Sequence, residues 1–280
     1  MVTEEAFTQR VRDFLAAYTR RKDEHGDEDE SLQGDGVAIT KALQRTLVDA
    51  GLAGLTYPAE YGGQGLPRAY QEIFTRESSA FTLPTYAITI SHGMCLPILN
   101  DFGTDDQKAR HLHKIISAEE IWCQMFSEPG AGSDVASLQT RAELDGDEWL
   151  INGQKVWTSG AQYCDYGLCL ARTNVDVPKH EGISMFIVDM RGAGVDIRPL
   201  RQITGDADFN EIFFTDARIP RGWLVGELNV SRSAPADPVL WRRAASTAYS
   251  TSPARPRARA TRPRGKPSPT STSAKRSCAM

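Results

Sequence analysis

Ile121-Trp-Cys-Gln-Met-Phe-Ser-Glu-Pro-Gly-Ala-Gly-Ser-Asp134 marks the point at which the hydrophobic spacing of this chain changes. Upstream, apolar side chains recur at helical steps; from Ile121 onward they alternate with a period near 2. A β-rich domain is therefore expected to begin here. Runs suited to short strands follow at 121–127, 137–145, 148–151, 154–158, 166–172, 183–189, 195–200 and 210–215. Two Asx–Gly dipeptides punctuate them, Asp145-Gly146 and Asn152-Gly153, each able to supply the positive φ of a tight hairpin turn. Strands at this spacing without helices between them argue an antiparallel sandwich or barrel rather than a βαβ fold.

Working back from 121, residues 1–120 read as a helical domain. Phe7, Val11, Phe14, Leu15 and Tyr18 fall on one helical stripe. Residues 23–36 are charged and contain glycine, as a loop would. Leu43, Leu47 and Val48 belong to a second helix that stops at Gly51. Residues 56–67 hold too much Gly and Pro to be regular. Helices are expected again at about 69–81 and 84–101, and Thr104-Asp-Asp-Gln107 is a capping box opening another. The whole chain thus reads as an α+β multidomain protein: helical at 1–120, β-rich at 121–229, and different again beyond.

That last segment differs in kind. Residues 230–280 carry nine Arg and two Lys against one acidic residue. This net +10 leaves −14 on residues 1–229 within the chain's total of −4. Pro, Arg, Ala, Ser and Thr dominate, apolar residues are sparse, and disorder is expected. No apolar run approaches the ~18 residues of a membrane span, and the acidic start is unlike a signal or transit peptide. The five cysteines show no disulfide framework or zinc-ligand spacing. The expected setting is a reducing cytoplasm, with no metal and no membrane.

Two stretches carry candidate chemistry. Glu128 to Asp134 lacks the Gly-x-Gly-x-x-Gly spacing of a dinucleotide fold. Its glycines still permit close backbone approach, and Ser133 adds a hydroxyl. In Asn152-Gly-Gln-Lys-Val-Trp-Thr-Ser-Gly160, Trp157 can stack on a planar heterocycle while Thr158 and Ser159 bond its polar edge. Taken singly, such a turn is usually a plain loop and such a tryptophan usually core. Together they outline two walls of a pocket for an aromatic, phosphate-bearing cofactor.

The stretch at 124–142, Gln-Met-Phe-Ser-Glu-Pro-Gly-Ala-Gly-Ser-Asp-Val-Ala-Ser-Leu-Gln-Thr-Arg-Ala, closely resembles a signature of the acyl-CoA dehydrogenases. Residues 150–161, Asn210 to Pro220, Gly226 to Asn229, Pro58 to Gly65 and Phe102 to Lys108 resemble the same family, in the same order. The likeness covers about residues 1–229. It implies a helical N-terminal domain, a middle β domain and bound FAD. Phe126 and Ser127 would lie along the flavin edge, and Gly132 and Ser133 near the cofactor phosphates, with Ser133 also at the substrate's pantetheine arm. Trp157 would stack on the isoalloxazine, with Thr158 and Ser159 at its polar edge. The implied partners are an acyl-CoA substrate, an electron-transfer flavoprotein and further subunits of a homo- or hetero-tetramer. Acyl-CoA oxidases and nitroalkane oxidases share the fold and are not excluded by these motifs.

The family also implies a C-terminal helical bundle that supplies the carboxylate base, further FAD contacts and most of the tetramer interface. Residues 230–280 do not resemble it, and no catalytic residue is assigned within 1–229. The composition change at Val230 reads as a shifted reading frame, so that the chain is expected to be a truncated, impaired dehydrogenase. DNA in which no single-base insertion or deletion restores a helical continuation would overturn that expectation. The rival readings are a non-catalytic flavin- or acyl-CoA-binding subunit, an inert fragment, and a basic arm for nucleic acid, the last disfavoured.

Overall fold

The computed structural model describes residues 2–22 and 35–229. Most of the charged loop expected at 23–36, and the tail at 230–280, lie outside the described residues. The chain opens with α1 (Glu4–Tyr18), capped by the Thr3 hydroxyl, which accepts from the Ala6 N–H at 3.3 Å. Phe7, Val11, Phe14 and Leu15 form its buried stripe, whereas Tyr18 is exposed and leans on Phe14. A two-residue ribbon, β1 (Arg20–Arg21) on β2 (Phe81–Thr82), ties the end of α1 to a later segment.

Helix α2 (Gly36–Asp49) ends where Gly51 predicts. Gly51 has φ +63°, its N–H bonds to the Val48 carbonyl, and the Leu52 N–H reaches back to Leu47 at 2.8 Å. These two bonds are a Schellman stop, which needs a residue at ease in the left-handed region. Helix α3 (Arg68–Ser78) packs on α1.

The helix expected at 84–101 is broken into stages. A 3-10 turn at Tyr86–Ile88 and a π turn at Ser91–Cys95 lead into α4 (Leu96–Phe102). Pro97 offers no N–H, and widening the preceding turn is one way a helix accommodates such a ring. Helix α5 (Asp105–Ile116) starts with the expected capping box: Thr104 Oγ1 accepts from Gln107 N–H, and the Thr104 N–H donates to Gln107 Oε1.

Beyond Ile121 lies an eight-stranded sheet: β3 (Trp122–Met125), β4 (Arg141–Asp145), β5 (Glu148–Ser159), β6 (Tyr166–Arg172), β7 (Ile183–Asp189), β8 (Val195–Leu200), β9 (Phe209–Pro220) and β10 (Leu224–Val225). The order is β10-β7-β6-β4-β5-β9-β8, with β3 alongside β6. Most neighbours are antiparallel, as expected. Two pairings are parallel, β3 with β6 over four residue pairs and β4 with β6 at Arg141–Arg172, so the sheet is mixed and open rather than a closed barrel.

One dipeptide reads differently in three dimensions. Asp145-Gly146 does turn the chain, joining β4 to β5 through Gly146 at φ +62°. Asn152-Gly153 does not. The runs expected at 148–151 and 154–158 are one continuous strand, β5. Gly153 sits at φ +150°, and a Cβ there would come within 2.6 Å of the Thr140 Cα. The Asn152 side chain grips the opposite strand, donating to Asp216 Oδ1 at 2.9 Å and accepting from the Asp216 N–H at 2.8 Å. Close backbone approach and a bulge in β9 use the residues that would otherwise make a turn.

The sheet has two apolar faces. Leu168, Leu170, Met185 and Ile187 point into the core shared with the helices. Cys169, Ala171, Phe186 and Val188 alternate onto a second core with Ile151, Ile212 and Phe214. Polar contacts fix the junction. Ser91 Oγ donates to the Trp122 carbonyl at 3.0 Å and accepts its N–H at 2.7 Å. Gln107 Nε2 donates to the carbonyls of Gly222 and Leu224. Glu120 accepts from Trp122 Nε1 and faces His111 and Lys114.

Candidate active site

Strand β3 runs directly into the segment Phe126–Ser133, and the C-terminal part of β5 lies beside it. The junction is a single backbone bond, Val156 N–H to the Ser127 carbonyl at 3.0 Å. Glu128 and Ala131 exchange both backbone bonds, at 2.9 and 3.0 Å, closing a tight turn over Pro129-Gly130. Gly132 and Ser133 follow, exposed. A Cβ added to Gly130 or Gly132 would meet nothing within 4 Å, so the space in front of this turn is open.

On the facing wall the register of β5 with β9 slips between Lys155 and Thr158. Val156 and Trp157 thus oppose one residue, Glu211, in a β-bulge. Trp157 has φ +61°. A bulky side chain in the left-handed region is costly, on the order of 1–3 kcal/mol, and such strain clusters at functional sites. The bulge turns the indole outward, 62% exposed, with its ring edge-on to Phe209 at 5.9 Å.

Thr158 points the other way. It is buried, and its Oγ1 has no protein partner. Its carbonyl accepts from Asn210 Nδ2 at 3.1 Å, and that same amide donates to Gln162 Oε1. Asn210 Oδ1 is likewise buried and unpartnered. Ser159 is half-buried, and Gly160, at φ +63°, ends the wall by bonding to the Asp208 carbonyl.

Phe126-Ser127 and Trp157-Thr158-Ser159 thus lie on two segments that meet at the Val156–Ser127 backbone bond and the Lys155–Phe126 contact. Among the described residues no hydrogen bond or ring contact joins Gly132 or Ser133 to β5 directly; they reach it through Glu128. Glu128 and Lys155 were not on the list of site residues drawn from sequence. Lys155 Nζ lies 2.7 Å from Glu128 Oε1, with both side chains buried. Burial alone would raise the Glu128 carboxyl, but the Lys155 ammonium and the donors of Thr140 and Gln139 outweigh it and hold its pKa below the usual range. No local signal in the sequence pairs them, because they stand 27 apart.

These features also exclude some chemistry. Both Glu128 oxygens are engaged, Oε1 by Lys155 and the Thr140 N–H, Oε2 by the Gln139 N–H. A carboxylate so bound and so acidic is a poor proton acceptor. The four described cysteines are free and buried, and burial pushes the Cys169 thiol to about 11. Among the described residues no cluster could hold a metal ion, and no helix is long and apolar enough to cross a membrane.

Comparison with known proteins gives the class. The family described as "Acyl-CoA dehydrogenase, N-terminal domain" matches residues 2–119, and "Acyl-CoA dehydrogenase, middle domain" matches 123–217. The chain belongs to the acyl-CoA dehydrogenase family, whose members are FAD-dependent oxidoreductases. Among curated relatives, the acyl-CoA dehydrogenase IpdE1 of Mycobacterium tuberculosis is 44% identical over 207 residues, covering 74% of this chain and 51% of the relative. Among solved structures, the ChsE4-ChsE5 complex of Mycobacterium tuberculosis superposes with a TM-score of 0.69 at 30% identity, over 88% of this chain and 61% of that one. The Tcur3481-Tcur3483 steroid ACAD gives 0.69 at 29% identity, over 88% and 64%. The chain spans about half the length of the curated relative described.

Proposed function

We propose that residues 1–229 carry the flavin-facing half of an acyl-CoA dehydrogenase, with a helical domain to about 120 and a β domain beyond. The observation that carries this is the bulge at Trp157, which holds an indole outward in a strained conformation beside Ser127. A solvent-facing ring and open space at Gly130 and Gly132 suit FAD. Trp157 would stack on the isoalloxazine. Phe126 and Ser127 would line its edge, Ser159 its polar side, and Gly132 and Ser133 its phosphates; the Thr158 hydroxyl, expected beside Ser159, is buried on the other side of β5 and does not reach that edge. Ser133 would also meet the pantetheine arm of an acyl-CoA.

When bound, FAD would accept a hydride from the β-carbon of the acyl thioester and pass electrons on to an electron-transfer flavoprotein. The chain's own part is to orient the ring and cover one of its faces. Removal of the α-proton needs a carboxylate within hydrogen-bond reach. Glu128 is already committed to Lys155, so it is a poor candidate for that base. Steroid-type acyl-CoA thioesters are the first substrates to try, because a solved relative is titled a steroid ACAD.

The test is reconstitution of the full chain with FAD, followed by gel filtration and absorbance. A flavin band should travel with the protein, and Trp157→Ala should weaken FAD binding about tenfold, the loss of one stacking contact of ~1.4 kcal/mol. Colourless protein would defeat the reading.

A second reading has its own support. Two of the solved structures are titled as pairs of chains, so this chain is also a candidate non-catalytic partner in a heteromeric dehydrogenase. Co-expression with a second family member that restores turnover would favour it.

A further inference from the structure

The buried pair Glu128–Lys155 is more than a filled space in the β domain. Lys155 sits on β5 two residues before the strained Trp157, wholly buried, and reaches across to the neighbouring wall. There its Nζ donates to Glu128 Oε1 at 2.7 Å and to the Phe126 carbonyl at 3.4 Å. Glu128 in turn accepts from the N–H groups of Gln139 and Thr140, at 2.6 and 3.0 Å, fixing the segment that leads into β4. One ion pair therefore ties together the ring-edge residues, the base of the glycine turn, the bulged strand and the entry to β4.

An ion pair in a dry interior is a costly way to gain stability, because desolvation offsets most of the attraction. Apolar residues of similar shape would pack as well. What they would not supply is direction: an ammonium bonded at two points and a carboxylate bonded at three define the spacing of the backbones around them. That spacing sets where Ser127 stands relative to Trp157, since Val156, the other residue of the bulge, bonds to the Ser127 carbonyl.

We infer that Glu128 and Lys155 are a positioning pair that holds the two walls of the cofactor site at the separation a flavin ring requires. The inference deepens the proposed function and rests on it for the identity of the ligand.

The experiment compares Glu128→Gln, Lys155→Met and the double variant E128Q/K155M in the full chain. Three quantities are read: melting temperature, hydrogen exchange at the Val156 amide, and FAD affinity by flavin fluorescence. Each single variant strands a buried group and should melt lower. The double variant should recover most of that loss, yet its Val156 amide should exchange at least tenfold faster and its FAD affinity fall at least tenfold. Neither partner of the Val156–Ser127 bond is altered, so its exchange reports wall spacing. Native Val156 protection and native FAD affinity in the double variant would overturn the inference. Should the double variant fail to fold, Glu128→Asp, which keeps the charge and shortens the reach, replaces it under the same two outcomes. If the unaltered chain takes up no FAD, the cofactor reading falls, and Val156 exchange alone decides whether the pair positions the walls.

Discussion

The start of β5 and its middle begin from almost the same instruction. Asp145-Gly146 precedes one end and Asn152-Gly153 lies near its middle, seven positions on, yet only the first reverses the chain. At the first, Gly146 has open space around it and its turn is shaped by local backbone preference. At the second, Gly153 is pressed against Thr140 and Asn152 is clamped to Asp216. The lesson is that a turn dipeptide specifies an allowed φ, while packing decides what that freedom is used for. The forgiving end of the strand is solvent-facing; the strict end leads to Trp157 and the candidate site.

The sharpest way to break this contrast lies at the strict end. Glu128→Gln should destabilise the fold by about 3–5 kcal/mol, by leaving Lys155 buried without its counter-charge. Chemical denaturation checks it. The same variant tests a pH dependence. The folded pKa of Glu128 is depressed, so the ion pair's contribution is fully present above the ordinary carboxylate value of about 4.3. It is lost as pH falls through the lower folded value. The substitution should therefore flatten the acid limb of the melting curve, leaving only what Glu120 and other carboxylates contribute. An unchanged acid limb would remove Glu128 from the account.

Gly153→Ala comes next. Its methyl would meet both the backbone and the side chain of Thr140 in an unfavourable φ, and a loss of about 3 kcal/mol is expected. At the forgiving end, Gly146→Ala has only the left-handed conformation to contend with and should lose about 1 kcal/mol. If the two glycines prove equally sensitive, the contrast between turn and bulge is wrong. The smallest effect has the opposite sign. Trp157→Gly relieves the positive φ and should raise stability by about 1 kcal/mol while abolishing the stacking surface. Thermal melts of the apo chain measure it.

Local signals were legible in the sequence. Thr104 and Gln107 form their capping box because both partners lie within one turn, and Gly51 stops α2 by a conformation only a few residues tolerate. The change of period at Ile121 likewise announces the sheet. Long-range arrangements were not legible. Nothing local tells β3 to run parallel to β6, because that pairing is chosen by chain paths across the whole domain. Nor does composition reveal that Lys155 is buried, since a lysine in a strand ordinarily keeps its ammonium in water. For the site, the residue types at 126–127 and 157–159 and their adjacency were readable. The outward indole on its bulge and the inward hydroxyl of Thr158 were not, because one extra residue in β5 resets the alternation.

Ser91 has a consequence of its own. Its hydroxyl both gives to and takes from the single peptide unit of Trp122, which is what a neighbouring strand would have done. A helical side chain thus counterfeits a missing strand and seals an edge that could otherwise recruit another chain. Replacing that oxygen with hydrogen would leave the N–H and carbonyl of Trp122 without their partner in a buried seam. The helices are therefore the sheet's protection against unwanted company as well as its hydrophobic cover.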